Sequence, residues 1–230
     1  MEVMIMKNDS IGNRMKSNYE FRQRYYLIRR TPVILRLDGR SFSQLTRKCI
    51  KPFDYRFASV MDNVATYLVT NIQGAKCAYK QSDEISILLT DFDTFTTDAW
   101  FDYNKSKIES ISAGMASASF SLMYDQLAMF DCRAFNLPKE EVCNYFIWRQ
   151  QDWIRNSVNM LASSLYSDKE LFGKNNTERQ DMIYEKGLNW SELDDKWKNG
   201  SFVTRCDISY TTVFTKSRSC IDDLLIAKED

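Results

Sequence analysis

Apolar and polar positions mark out the elements of this chain one after another. Val33-Ile34-Leu35-Arg36-Leu37 is a β-branched, apolar run that stops at Asp38-Gly39, a dipeptide suited to a turn because glycine accepts positive φ. It predicts a strand ending in an acid. Phe57, Val60, Met61, Val64, Ala65, Leu68, Val69 and Ile72 keep the three-and-four spacing of one helical face, closed by Gly74. Lys76 to Lys80 and Ile85 to Leu89 read as strands joined through Gln81-Ser82-Asp83-Glu84, a polar turn that makes the pair a hairpin with a second acid at its tip. From Thr97 to about Leu122 the pattern predicts a long helix. Its apolar face is Ile108, Ile111, Met115, Ala118 and Leu122, and Ser110, Gly114, Ser117 and Ser121 form a stripe of small residues that lets another backbone come close.

Ala128 to Phe135 reads as a further strand. Asn136-Leu137-Pro138-Lys139-Glu140-Glu141 then opens a helix running to about Leu165, with proline in the first turn and acids at the positive end of the macrodipole. Ile147, Ile154, Val158 and Leu161 form its buried face, and Arg149, Asp152, Asn156 and Asn159 a polar one. Short helices are expected over 177–186 and 191–198, and residues 1–31 form a polar, basic arm anchored by Tyr25 and Tyr26. The order strand, helix, hairpin, helix, strand predicts an α+β fold, a palm-like antiparallel sheet covered on one face by two long helices. Residues 1–136 make the palm-like catalytic part with its basic arm, and 137–230 a mainly helical region that completes the domain.

Composition narrows the chemistry. The 230 residues are 44% hydrophobic and 13% aromatic with 7 Gly and 3 Pro, which excludes collagenous, low-complexity and disordered classes. There is no histidine, so a His base, His metal ligands and a His pH switch are all ruled out, leaving carboxylates, cysteines, lysines or metals to do any catalysis. Lys plus Arg equals Asp plus Glu at 31 each, yet the first 60 residues hold 13 basic and 5 acidic groups. A basic N-terminal quarter suits a polyanion, and equally a solvated face. The six cysteines show no paired short spacing and read as reduced, buried small hydrophobes. No apolar stretch is long enough to span a bilayer and no signal-peptide pattern is seen, so a cytoplasmic location is expected.

Asp38 and Asp83 are 45 positions apart, but the topology puts both at strand ends of one sheet. Each alone is an ordinary turn residue. Together, with the sterically open carbonyl of Gly39, they suit two Mg²⁺ ions and in-line displacement at phosphorus, one ion activating a hydroxyl and the other holding the leaving phosphates. Arg40, Ser41 and Ser43 follow at once and offer donors to a triphosphate. Lys51 and Asp54 add a cation and an acceptor for a purine edge, and Lys107 is a further candidate for the phosphates.

Leu35-Arg36-Leu37-Asp38-Gly39-Arg40-Ser41-Phe42, Lys51-Pro52-Phe53-Asp54, Gln81-Ser82-Asp83-Glu84, Phe130-Asp131-Cys132-Arg133 and Trp148-Arg149-Gln150-Gln151-Asp152, in this order, resemble the tRNA-histidine guanylyltransferase family. The resemblance implies a fold akin to the palm of forward polymerases, nucleotide addition to an RNA 5′ end in the 3′-to-5′ direction, and a homotetramer. It implies metal ligands at the Asp38 carboxylate, the Gly39 carbonyl and the Asp83 carboxylate. Nucleotide contacts are implied at Asp38, Gly39, Arg40, Ser41, Phe42, Ser43, Lys51, Asp54, Ser82, Asp83 and Lys107, with GTP or ATP as substrates.

The sequence departs from the family pattern at Ser43, where a histidine is usual, and at Trp153-Ile154-Arg155-Asn156, where the eukaryotic enzymes carry His-Ile-Asn-Asn. It is therefore closer to the guanylyltransferase-like proteins, which resemble template-dependent 5′-end repair polymerases. Residues 202–230 match nothing in the family pattern. Arg149, Asp152, Arg155 and Asn156 are the candidate RNA contacts, because a polar helix strip suits sugars and phosphates. Two other classes stay open: a palm-type nucleotide cyclase or signalling synthase, and a non-catalytic RNA-binding protein.

Overall fold

The computed structural model describes residues 10–227. The helices are α1 (Ser10–Met15), α2 (Phe42–Leu45), α3 (Tyr55–Asn71), α4 (Lys105–Tyr124), α5 (Lys139–Leu165), α6 (Asp168–Leu171), α7 (Asn176–Glu185), α8 (Asp195–Asn199) and α9 (Ser219–Asp222). The strands are β1 (Val33–Gly39), β2 (Ala75–Gln81), β3 (Glu84–Leu89), β4 (Phe130–Asn136), β5 (Ser201–Val203) and β6 (Ile208–Ser209). They make one antiparallel sheet in the order β4-β1-β3-β2-β5-β6.

Strand alternation divides the core in two. Leu35, Leu37, Ala78, Ile85, Ile87 and Leu89 pack under α3 and α4, while Ile34, Cys77, Tyr79 and Leu88 meet α5 and the C-terminal Phe214, Ile221 and Leu225. The two predicted helices thus cover one face of a palm-like α+β sheet, and α5 with the tail covers the other. The tail belongs to the sheet as well, because β5 and β6 extend its edge. Gln150 fastens it: Nε2 donates to the carbonyls of Asn199 (3.0 Å) and Thr212 (2.9 Å), and Oε1 accepts from the Phe214 amide (3.0 Å).

Helix α4 starts later than its periodicity predicts. Phe101, Asp102 and Tyr103 have φ of +49°, +51° and +54°, a left-handed run that no α-helix continues through. Asn104 then caps the helix, its Oδ1 accepting from the Lys107 amide at 3.2 Å. The buried face is Ile108, Ser112, Ala116, Ser119 and Phe120, whereas Ile111 and Leu122 of the predicted apolar face are 40% and 84% exposed. Two of the four small residues do admit a neighbour: Ser117 Oγ accepts from the Phe130 amide (2.9 Å) and Ser121 Oγ from the Ala128 amide (3.0 Å).

The arm also differs from its reading. The Tyr25 and Tyr26 side chains are exposed, and the arm is held by main-chain bonds, Lys105 amide to Tyr25 carbonyl (2.8 Å) and Leu27 amide to Tyr103 carbonyl (3.0 Å), and by charge. Arg29 Nε contacts buried Asp91 at 2.6 Å, its Nη1 contacts Asp102 at 2.9 Å, and the Arg30 amide donates to Asp91 at 2.8 Å. The portions of the arm and tail at 1–9 and 228–230 lie outside the described residues.

Candidate active site

Antiparallel register brings the two distant acids together. Asp38 lies opposite Glu84 of β3 on one side and Asp131 of β4 on the other, and Ser82-Asp83 is the two-residue turn between β2 and β3. Ser82 takes φ of +45°, which turns the chain tightly enough to hold Asp83 beside the end of β1. A cavity of about 620 Å³ opens there between the strand ends and α5. Asp38, Lys51, Ser82, Asp83, Arg149, Asp152 and Asn156 all line it, joined by Glu84, Trp153, Asn159, Met160 and Ser163.

The charges around this cavity are unevenly matched. Asp83 is pushed up to about 6, first by burial and then by the facing charge of Asp38, against hydrogen bonds from its own amide and the Ser82 hydroxyl. Asp38 is pushed up too, by partial desolvation and by the charges of Glu84 and Asp131, with Arg36 and Arg133 pulling the other way. Glu84 is instead gripped by Arg149 through Nε–Oε1 at 2.7 Å and Nη2–Oε2 at 2.8 Å. Among the described residues, neither Asp38 nor Asp83 forms an ion pair. Two adjacent, mutually repelling carboxylates with no ion-pair partner among the described residues would suit Mg²⁺, which takes one or two carboxylates and completes its shell with water and phosphate. Among the described residues, no group of three or more acid or thiol side chains offers an alternative metal site.

The turn after β1 depends on Gly39. A Cβ there would lie 2.5 Å from the Phe42 ring, which packs on Phe57, Phe120 and Phe130 with centroids 6.1, 5.1 and 5.0 Å away. Phe42 is therefore a core residue, and its ring is closed off from a nucleotide. Arg40 and Ser41 are exposed and line a second cavity of about 310 Å³ with Leu127 and Met129; Ser43 is exposed beside them.

Three other predicted contacts are placed differently from their reading. Asp54 caps α3, its Oδ1 accepting from the Phe57 amide and its Oδ2 from the Ile50 amide, both at 2.9 Å. Partial burial pushes its carboxyl up, but these bonds and one from the Arg56 amide hold it below its usual value. Lys107 lies ten residues, about 15 Å of helix, before the Ser117 that touches the Gly39 end of the sheet, so in its own chain it does not reach the acids. Its ammonium sits 4.7 Å from the Phe101 ring centre. Arg149 is 7% exposed and paired with Glu84 and Asp152; Arg155 is exposed and pairs with Asp152 at 2.9 Å.

The residue that sequence reasoning passed over is Glu84. It belongs to the quoted Gln-Ser-Asp-Glu run, but only the register shows it facing Asp38. Lys51 lines the cavity wall with its Nζ 3.2 Å from the Thr46 carbonyl.

The fold is a palm-like sheet with two carboxylates at adjoining strand ends, neither of them in an ion pair among the described residues. Comparison with known proteins specifies the family. The family model for tRNA(His) guanylyltransferase matches residues 12–138. A bacterial tRNA(His) guanylyltransferase-like protein solved in complex with ATP superposes with a TM-score of 0.91 at 42% identity, covering 94% of this chain and 99% of that one. The tRNA(His) guanylyltransferase of Debaryomyces hansenii is 25% identical over 85% of this chain and 83% of its own length. The Saccharomyces cerevisiae enzyme shares the fold, with a TM-score of 0.72 at 22% identity over 83% of this chain and 92% of that one. The chain belongs to the tRNA-histidine guanylyltransferase family.

Proposed function

We propose that this protein is a magnesium-dependent nucleotidyltransferase that adds nucleotides to the 5′ end of tRNA, growing the strand in the 3′-to-5′ direction with GTP or ATP as substrates. The observation that carries this reading is the pair of unpaired, upward-shifted carboxylates, Asp38 and Asp83, on the wall of a 620 Å³ cavity. The similarity to a relative solved with ATP and to another solved with GTP supports it.

Asp38, Asp83 and the Gly39 carbonyl would hold the metal. When bound, Mg²⁺ supplies neutralisation of triphosphate charge and Lewis-acid assistance to in-line displacement at phosphorus. The chain does the positioning. Ser82 offers a hydroxyl beside Asp83, Lys51 an ammonium at the cavity wall, and Arg40, Ser41 and Ser43 donors on the loop that follows the acid. Asp54 serves indirectly by fixing the start of α3 beneath that loop. Asp152, Arg155 and Asn156 present hydrogen-bonding groups to RNA on the helix that forms the other wall.

The protein acts as a homotetramer in this proposal, with the exposed Tyr19, Phe21, Tyr25 and Ile28 of the arm covered by other copies. Lys107 then meets a nucleotide only across a subunit boundary. A cytoplasmic location is consistent with six free cysteines, and among the described residues no helix is long and apolar enough to cross a membrane.

The test supplies Mg²⁺, labelled GTP or ATP and a tRNA lacking its first residue, carrying a 5′-monophosphate or a 5′-triphosphate. A product lengthened at its 5′ end is expected. A cyclic or dinucleotide product made without RNA would replace this reading by the signalling synthase, and salt-sensitive tRNA binding without turnover by the RNA-binding protein.

A further inference from the structure

Four acids face the large cavity: Asp38, Asp83, Glu84 and Asp152. A third carboxylate within reach of Asp38 and Asp83 would take a coordination position that Mg²⁺ in such sites leaves to water or substrate phosphate. Arg149 changes the count. Its guanidinium takes Glu84 in a two-point grip at 2.7 and 2.8 Å and reaches Asp152 Oδ2 at 3.0 Å. It is held there by burial and by the Trp148 ring, whose centre lies 4.5 Å away.

We infer that Arg149 is a positioning residue that decides which carboxylates meet the metal, withdrawing Glu84 so that Asp38 and Asp83 remain as the ligand pair. This rests on the magnesium reading of the site. Glu84 adjoins Asp83 in sequence and faces Asp38 across the β1–β3 ladder, so it is the carboxylate most able to intrude. The guanidinium fork matches a carboxylate edge in a way that a lysine ammonium does not.

The inference makes a prediction opposite to that of a merely structural salt bridge: losing Arg149 strengthens metal binding while weakening turnover. The measurement is Mn²⁺ titration of nucleotide-free protein by electron paramagnetic resonance, with circular dichroism as a check of folding. Arg149→Met is expected to bind Mn²⁺ about ten-fold tighter than wild type, since one anion near the site loses its cation. It should also raise the KM for nucleotide more than it lowers kcat. Adding Glu84→Gln to that variant is expected to return Mn²⁺ affinity to within about two-fold of wild type, because the intruding charge is gone. Should Arg149→Met fail to fold, Glu84→Gln alone and the double variant carry the test, as neither buries a lone anion. The single variant, whose guanidinium keeps only Asp152 as a partner, is expected to bind Mn²⁺ more weakly than the double, which has no cation at that place. Unchanged or weaker Mn²⁺ binding in folded Arg149→Met, or equal affinity in the other two variants, overturns the inference. Wild type and Asp38→Asn binding Mn²⁺ equally poorly overturns the magnesium reading itself, and the inference with it.

Discussion

Two clusters of charge lie within a few residues of each other on β2 and its turn, and they are built in opposite ways. Lys80 Nζ meets Asp62 at 2.8 Å with both side chains almost wholly buried, and the Tyr210 hydroxyl donates to the other Asp62 oxygen at 3.0 Å. Burial, with a smaller push from Lys196, holds the Lys80 ammonium below its usual value although Asp62 pulls it up, so each buried charge has its opposite beside it. Three residues on, Asp83 is crowded by Asp38 and, among the described residues, forms no ion pair. The first cluster welds α3 to the sheet. The second leaves an electrostatic debt that only an incoming group can settle.

The sharpest way to break this contrast is to remove one acid of the second cluster. Asp38→Asn and Asp83→Asn are each expected to cut nucleotide addition by at least about a thousand-fold, since both ligands of one metal pair are needed. Melting temperatures should be unchanged or higher, because a repulsion is relieved. Loss of activity accompanied by unfolding would count against the assignment.

The matched cluster should behave in reverse. Asp62→Asn or Lys80→Met leaves a lone buried charge and is expected to cost about 3–5 kcal/mol, read as a fall in the urea midpoint. A variant as stable as wild type would show that the pair is not structural.

Acidity separates the clusters more finely. Asp83 is raised from 3.8 to about 6, so the native state holds its proton more tightly than the unfolded chain does. The stability this contributes is fully present below pH 3.8 and is lost as pH rises through about 6. Metal-free wild type should therefore lose stability relative to Asp83→Asn over that interval, and Mg²⁺ should remove the difference. Parallel melting curves of the two proteins across the interval, without metal, would refute it.

The smallest effect expected is at Asp54, where alanine removes a helix cap at a cost of about 1 kcal/mol and asparagine keeps most of it. If Asp54→Ala instead changes nucleotide preference with stability intact, the residue contacts the purine edge as well as capping the helix.

The strand ending in Asp38, the helix after it and the hairpin carrying Asp83 were legible because each is signalled by local periodicity and a turn. The two-residue turn fixes the β2–β3 register, whereas the pairing of β1 with β3 and β4 is non-local and leaves no mark in the sequence. What failed were features set by tertiary packing. The periodicity through Thr97 to Tyr103 gave no sign of the left-handed run there, and serines on α4 are buried because their hydroxyls bond to backbone carbonyls or to the neighbouring strand. Phe42 sits inside a binding motif yet faces the core, since the motif's backbone, rather than every side chain, shapes the loop. Arg149 read as an RNA contact because its partner Glu84 is 65 positions away. Strands of three and two residues, such as β5 and β6, are too short for alternation to show.

Gln150 ties the last described stretch of chain to α5 through three main-chain bonds, one position beyond the arginine that touches the hairpin acid. A protease cut between Asn199 and Thr212 would cost the glutamine its rigid clasp and loosen the seat of its neighbour. Trimming at the periphery would thus be felt as disorder at the reaction centre.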